Sequence, residues 1–257
     1  METKTHTIGR GGVLLAVFVL MVFGCKKDME ETHDDLVHGP HANTVVAFNM
    51  AFTRGGAPFD KTVPFTDGAG TLVQVNTLKF FLAQPSFRDD AGASVASFPG
   101  KYFLVDLDEG GAVRNIGEVD GHLHALSIGV GLDSAANHTD PTIAAQPMAS
   151  SGLWWGWAAG YKFLVLEGRY DSDGDGVLEG TDFPFEFHCG MDTAYRRIDL
   201  TVHTDAHMGG NVIIPLSLSI DSLFNGLDVA TQPVVHIVND ISLGLMDRMG
   251  GALTHVE

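Results

Sequence analysis

From Thr44 onward, apolar residues recur at every second position in short runs that end in glycine- or aspartate-rich turns, and this pattern confines the chain to an all-β architecture. Val46, Phe48, Met50 and Phe52 alternate, as do Val73 and Val75. Successive strand side chains point to opposite faces, so each run has one face to bury. Leu78 to Leu82, Tyr102 to Val105, His122 to Val130, Tyr161 to Glu167, Phe183 to Cys189, Ile198 to His203 and Val212 to Ile220 extend the series. The expectation is a single β-sandwich-like domain over residues 44–257. A short C-terminal helix is expected where Ile237, Val238, Ile241, Leu245 and Met249 follow helical spacing. No internal repeat or boundary signal divides this body.

The segment ahead of the body reads differently. Lys4 and Arg10 precede an apolar run from Val13 to Phe23, eleven residues where about 17–25 are needed to span a bilayer. Residues 1–24 therefore read as a signal peptide. Gly24-Cys25 at the end of the run, followed by Lys26-Lys27-Asp28, resembles the lipobox of bacterial lipoproteins, with Val22 where leucine is usual. That resemblance implies lipidation of Cys25 and a membrane-anchored protein of the cell envelope, on the periplasmic face or the outer surface. Residues 25–43 hold Asp28, Glu30, Glu31, Asp34 and Asp35 with His33, His38 and His41 and few apolar residues, as suits a solvated tether. Its histidines would have to lose conformational entropy before they coordinated anything, so they read as spacers.

Charge narrows the partners. The chain has 32 acidic against 15 basic residues, a formal net charge of −17, which repels a polyanion, so nucleic acid is excluded as a ligand. With Cys25 used as the anchor, Cys189 is the one remaining thiol and cannot close an internal disulfide. The 12 histidines, together with the acids, instead supply nitrogen and oxygen ligands for metal.

One acidic loop has metal-ligand spacing. Asp171, Asp173, Asp175, Glu179 and Asp182 occupy positions one, three, five, nine and twelve of a twelve-residue loop, with Gly176 at six and the Val177 carbonyl at seven. This spacing wraps a chain around calcium, because alternate carboxylates turn inward and glycine permits the sharp turn. Asp182 stands where the longer glutamate is usual, which shortens the last ligand's reach. The site would be structural. The alternative on the same residues is a solvated turn built from turn-forming Asp and Gly.

The most specific stretch is Asn137-His138-Thr139-Asp140-Pro141, then Leu153-Trp154-Trp155-Gly156-Trp157-Ala158-Ala159-Gly160-Tyr161-Lys162-Phe163 running on to Glu167-Gly168, then Phe187-His188-Cys189-Gly190. All 3 tryptophans fall within it, and on composition alone they read as an aromatic core cluster at a strand end. In combination these blocks resemble the MbnP-type copper-binding protein family, associated with methanobactin operons and found among bacterial lipoproteins. Thr44 to Gly92 is similar to that family's opening strand pair, and Leu223-Phe224-Asn225-Gly226 to a later turn. The resemblance implies extracytoplasmic copper bound by histidine imidazoles. In some members a tryptophan is oxidised to kynurenine by a partner dihaem enzyme of the cytochrome peroxidase type. The positions it carries over are His138 and His188 for copper, and Trp155 and Trp157 as alternatives for oxidation. An indole offers only an N–H donor, whereas kynurenine adds an aryl amine and a ketone, so oxidation would complete the copper site.

Four further histidines are copper-ligand candidates. His122 and His124 lie two apart on one strand face, followed on that face by Leu126, Ile128 and Val130; they read equally as a chelating pair or as satisfied core or rim histidines. His203 and His207 flank a strand end and can meet each other only across a helical turn, or can converge on the site of His188 from a neighbouring strand. His236 and His255 read as structural or exposed. Alternation sends Cys189 to the face opposite His188, with Phe185 and Phe187, as a small buried hydrophobe; a bulge there would instead bring its thiolate to copper.

Two functions follow. The first is an extracytoplasmic copper-binding lipoprotein acting in copper acquisition, storage or delivery. The second is a calcium-stabilised β-sandwich adhesion or scaffold module whose aromatic cluster serves packing alone. No Ser-His-Asp or nucleophile-elbow pattern appears and Cys189 has no evident orienting partner, so an enzyme is not expected.

Overall fold

The alternating run at Thr44 forms strand β1 (Thr44–Arg54), and its four alternating apolar residues, Val46, Phe48, Met50 and Phe52, are all buried. The computed structural model describes residues 43–207 and 209–256; Cys25 and the stretches expected to be a signal peptide and a tether, up to residue 42, lie outside the described residues. The principal strands that follow are β2 (Leu72–Arg88), β3 (Tyr102–Asp106), β4 (Arg114–Val119), β5 (Gly121–Val130), β6 (Trp154–Gly156), β7 (Gly160–Tyr170), β8 (Phe183–Gly190), β9 (Arg196–Ala206), β10 (Asn211–Ser219), β11 (Val234–Val235) and β12 (Leu253–His255). The helices are α1 (Ser134–Asn137), α2 (Ile220–Phe224) and α3 (Asp240–Ala252).

These strands form two sheets in an all-β, sandwich-like fold. One runs β12–β10–β1–β4, with β1 and β10 parallel from Val45↔Asn211 to Thr53↔Ser219. The other runs β9–β5–β2–β7–β8–β11. Their buried side chains join in one apolar cluster, in which Phe48 of β1 meets Phe103 of β3 edge to face at 5.0 Å. Full burial of each such ring contributes about 1.5–3 kcal/mol, and a well-placed aromatic pair about 0.5–1.5 kcal/mol more.

Strand β2 is the spine of the larger sheet. Its first half pairs with β7, from Val73↔Tyr170 to Phe80↔Leu164, and its second half with β5, from Leu82↔Val130 to Arg88↔Ala125. Because β3 occupies the opposite edge from Lys79 to Ala83, β7 and β5 lie end to end along the same edge. The hand-over is followed by a bulge, where Gln84 and Pro85 sit opposite the single residue Ile128 and Gln84 adopts φ +48°. The β7–β8 and β5–β9 pairs are thereby held at opposite ends of β2, and each carries a group of histidines.

The C-terminal helix starts later than its apolar spacing suggests. Asn239 caps α3 by accepting from the Ser242 N–H, while the Ser242 hydroxyl accepts from the Asn239 N–H, a reciprocal cap that sets the first turn at Asp240. Ile237 is left 64% exposed ahead of it, and Leu245, Met246 and Met249 supply the buried face.

Candidate metal centre

The Asn-His, Trp-rich and Phe-His blocks converge through two close approaches that only glycine permits. Asp133 caps α1 through the amides of Ala135 and Ala136, and α1 delivers Asn137 into the core, fully buried. Asn137 Oδ1 accepts the Tyr161 N–H at 2.8 Å, and its Nδ2 donates to Asp192 Oδ1 at 2.8 Å. Gly160 fits against Asn137 at φ +75°, where a Cβ would fall 2.1 Å from Oδ1. Gly190 makes the second approach: a Cβ there would lie 2.7 Å from the Tyr161 carbonyl oxygen and 3.3 Å from the Trp155 ring. The indole of Trp155 thus lies over bare backbone, with its ring edge-on to His188 at 6.2 Å.

His188 stands on β8 at 7% exposure, paired across the sheet with Val165. It donates from Nε2 to Glu167 Oε1 at 2.7 Å, which leaves the lone pair on Nδ1. Burial pushes the His188 pKa below its ordinary 6.5, the Glu167 hydrogen bond opposes that, and the positive charge of Lys162 adds to it. The ring is therefore neutral near pH 7, the state a metal ligand requires. The parallel pairing of β11 with β8, Glu186↔Val234 and Phe187↔Val235, carries the next residue, His236, alongside His188. The two imidazoles stack at 4.2 Å, 7° from parallel, and His236 Nε2 lies 2.9 Å from Glu186 Oε2, within ion-pair range.

Glu186, His188 and His236 each offer a ligand atom within 4.8 Å of the others. Two imidazoles beside carboxylates form a borderline nitrogen and oxygen donor set that fits copper(II) or zinc and is too nitrogen-rich for magnesium or calcium. Stacked rings aim their lone pairs along parallel lines, so convergence on one ion requires one ring to tilt. Trp155 is half-buried beside this group; Trp157 is 71% exposed and packs edge-on against Trp154 at 5.3 Å.

The remaining histidines lie elsewhere. His138 pairs with Asp192 at 3.3 Å and, among the described residues, joins no metal-competent group. Asp192 also accepts from Ser134 and Asn137, and these contacts hold its carboxyl below the ordinary range. His122 and His203 gather with Asp90 at the β5–β9 end of the sheet, beside His124, and His207 pairs with Asp120 at 3.2 Å. Cys189 is fully buried on the opposite face from His188, and burial raises its thiol pKa to about 12, so it behaves as an apolar side chain.

Of the acidic loop, Asp171, Asp173 and Asp182 come within 4.8 Å of one another, whereas Asp175 and Glu179 do not join them and Val177 is exposed. Asp171 accepts from the amides of Gly174, Asp175 and Gly176, and Asp182 from those of Ser172 and Glu179. Gly174 and Gly176 take φ +78° and +83°, the left-handed turns their spacing implied. The carboxylates therefore shape the loop through its own amides as well as facing one another.

Glu167, Glu186, His236 and Asp90 take part in these groups, and Asp205 contacts His122 Nδ1 at 2.6 Å, although no sequence motif marks them as ligands. Glu186 was accessible by alternation, two positions from His188 on the same face. His236 was not, because only the β11–β8 register brings it there.

Comparison with known proteins bears on the whole assembly. The sequence model of the MbnP family matches residues 43–239. In structure the chain is similar to MbnP from Methylosinus trichosporium, with a TM-score of 0.51 over 77% of this chain and 83% of that one, at 15% identity, a likeness of fold. No curated protein matches in sequence at a significant level.

Proposed function

The chain belongs to the MbnP family, and from that premise we propose that it is an extracytoplasmic copper-binding lipoprotein whose metal centre is the group of His188, His236, Glu186 and Glu167. The observation that carries this reading is the environment of His188. It is buried, held neutral, fixed in tautomer by a carboxylate and stacked on a second imidazole, which is how protein sites orient a ligating histidine.

In this reading Trp155, and not Trp157, is the residue whose oxidation completes the site, because Trp155 is the one beside His188. A partner dihaem enzyme would supply the oxidation from a peroxide or dioxygen co-substrate: the indole C2–C3 bond is cleaved with oxygen added at both carbons, hydrolysis releases C2 as formate, and the kynurenine that remains would bring an aryl amine and a ketone to the group. Copper, when bound, supplies a redox-active or transferable ion; His188 and His236 hold it, and Glu167 fixes the ring of His188. Cys25 anchors the protein to the membrane through the acidic tether, and the role is copper acquisition, storage or delivery with no catalysis of its own.

Copper titration of the chelator-stripped full-length protein tests this, with and without prior exposure to the dihaem partner. One equivalent is expected to bind and to be lost in His188→Ala and in His236→Ala, and partner treatment is expected to change the mass of the Trp155 peptide. Equal copper uptake by parent and both variants would remove the centre from this position.

The three-carboxylate approach of Asp171, Asp173 and Asp182 favours a second component, a structural calcium ion in that loop. If calcium raises the melting temperature while copper never binds stoichiometrically, the protein is the calcium-stabilised adhesion or scaffold module instead.

A further inference from the structure

The histidines at the β5–β9 end of the larger sheet form a separate constellation. His122 donates from Nδ1 to Asp205 Oδ1 at 2.6 Å, and its Nε2 lies 3.2 Å from Asp90 Oδ2. With the Nδ1 proton committed to Asp205, Nε2 faces the Asp90 carboxylate, an approach that calls for either a proton or a cation between the two. His124 adds a second nitrogen: its Nδ1 is 2.9 Å from Asp90 Oδ1, within ion-pair range but at an angle that makes no hydrogen bond. The Nδ1 of His124 is thus a buried polar atom with no hydrogen bond, beside a carboxylate that already faces His122.

His203 supplies the third ring. It meets His124 edge to face at 4.4 Å and lies 6.1 Å from His122. Its position is set by a bulge in β9, where Val202 and His203 sit opposite the single residue His124 and His203 adopts φ +33°. A non-glycine residue in that region costs about 1–3 kcal/mol and persists where the surroundings hold it; bulges of this kind re-aim a side chain. Here the strained residue is aimed at His122, His124 and Asp90, and it also borders an open groove of about 740 Å³ between β9 and β12 that admits solvent.

We propose that Asp90, His122 and His203 hold a second metal ion, a borderline first-row divalent cation of the zinc class, with His124 beside it and Asp205 as the carboxylate that orients His122. The ligand atoms of Asp90, His122 and His203 all lie within 4.8 Å of one another, so bonds of about 2.0–2.2 Å reach one ion with small side-chain movement. Imidazole-rich sites of this kind select zinc or copper(II) over magnesium or calcium. The pairing of Asp205 with the far nitrogen of His122 is the outer-shell arrangement that metal-bound histidines use. An ion here would tie the turn after β2 to both β5 and β9. It is independent of the His188 group: from Lys79, across from Val165, to Arg88, across from Ala125, β2 contributes about 30 Å of strand at about 3.3 Å per residue.

Zinc titration of the chelator-stripped full-length protein by calorimetry tests the site. The informative variant is His203→Gly, which removes a ligand while relieving the positive φ, so the metal-free fold keeps its stability or gains some. One zinc equivalent is expected to be lost in His203→Gly and in His122→Asn, and retained in the His188→Ala/His236→Ala double variant. Asp205→Asn, which leaves the ligands in place, should weaken that equivalent about ten- to hundredfold. Unchanged zinc stoichiometry in His203→Gly overturns the proposal and identifies the group as a protonated His122–Asp90 pair only. Loss of the equivalent in the His188/His236 double variant overturns it as well, by placing zinc at the other end of the sheet.

Discussion

His188 and His236 lie face to face, 4.2 Å apart and 7° from parallel, although one sits in a central stretch of β8 and the other just past the two-residue strand β11. The contact joins two distant parts of the chain, and each ring also has its own carboxylate, Glu167 for His188 and Glu186 for His236.

The His188 environment makes the metal-free fold acid-sensitive. Burial holds its folded pKa below 6.5, so the unfolded chain takes up the proton first and stability falls as pH drops below that value. His122 acts in the opposite sense, since Asp205 raises its pKa and its contribution is present at low pH and lost as pH rises. Urea midpoints at about pH 7.5 and about pH 5 should therefore fall less for His188→Gln than for the parent. An equal fall in both would show that His188 does not carry the acid response.

Gly160→Ala places a Cβ 2.1 Å from Asn137 Oδ1 at a φ of +75°, so it meets both a clash and a disfavoured backbone. The expected loss is about 2–5 kcal/mol in urea unfolding. Gly190→Ala displaces the Trp155 ring, and a changed tryptophan emission spectrum with weakened copper uptake is its expected signature. An unaltered spectrum would separate Trp155 from the position of Gly190.

Cys189 should resist thiol reagents in the native state and react on unfolding. Its pKa rises from 9.0 to about 12 through burial, so the unfolded chain loses the proton first and stability falls as pH climbs between these values. Tyr102, raised to about 12 chiefly by burial, adds to the same trend, and Cys189→Ala should flatten the part due to the thiol. Rapid labelling of the folded protein would place the thiol at the surface.

Gly244 lies inside α3 with nothing within 4 Å of the point an alanine methyl would occupy and no left-handed backbone angle. Gly244→Ala should stabilise the protein by about 0.5–1 kcal/mol, by lowering the unfolded chain's entropy and raising helix propensity. A lower melting temperature would reveal a steric limit near that helix face.

Much of the fold was legible in the sequence because its signals are local. Period-two runs from Val46 to Phe52 and from Phe183 to Cys189 announce strands with one apolar face, and the Asp171 to Asp182 spacing announces a tight acidic loop. Helical spacing found α3 but not its first residue, which the Asn239–Ser242 cap determines. The Asn-His, Trp and Phe-His blocks announced the family, and Asn137, Gly160 and Gly190 show why they go together: each glycine makes room for a residue of another block.

The grouping of the histidines was decided only in three dimensions. His188 gains His236 through the parallel β11–β8 register, while His203 turns toward His122 and His124 through one extra residue in β9. Neither event leaves a mark in the spacing of the histidines themselves. Alternation assigns a face to each side chain, but strand register and bulges choose its neighbour, and these depend on pairing between segments far apart in the chain.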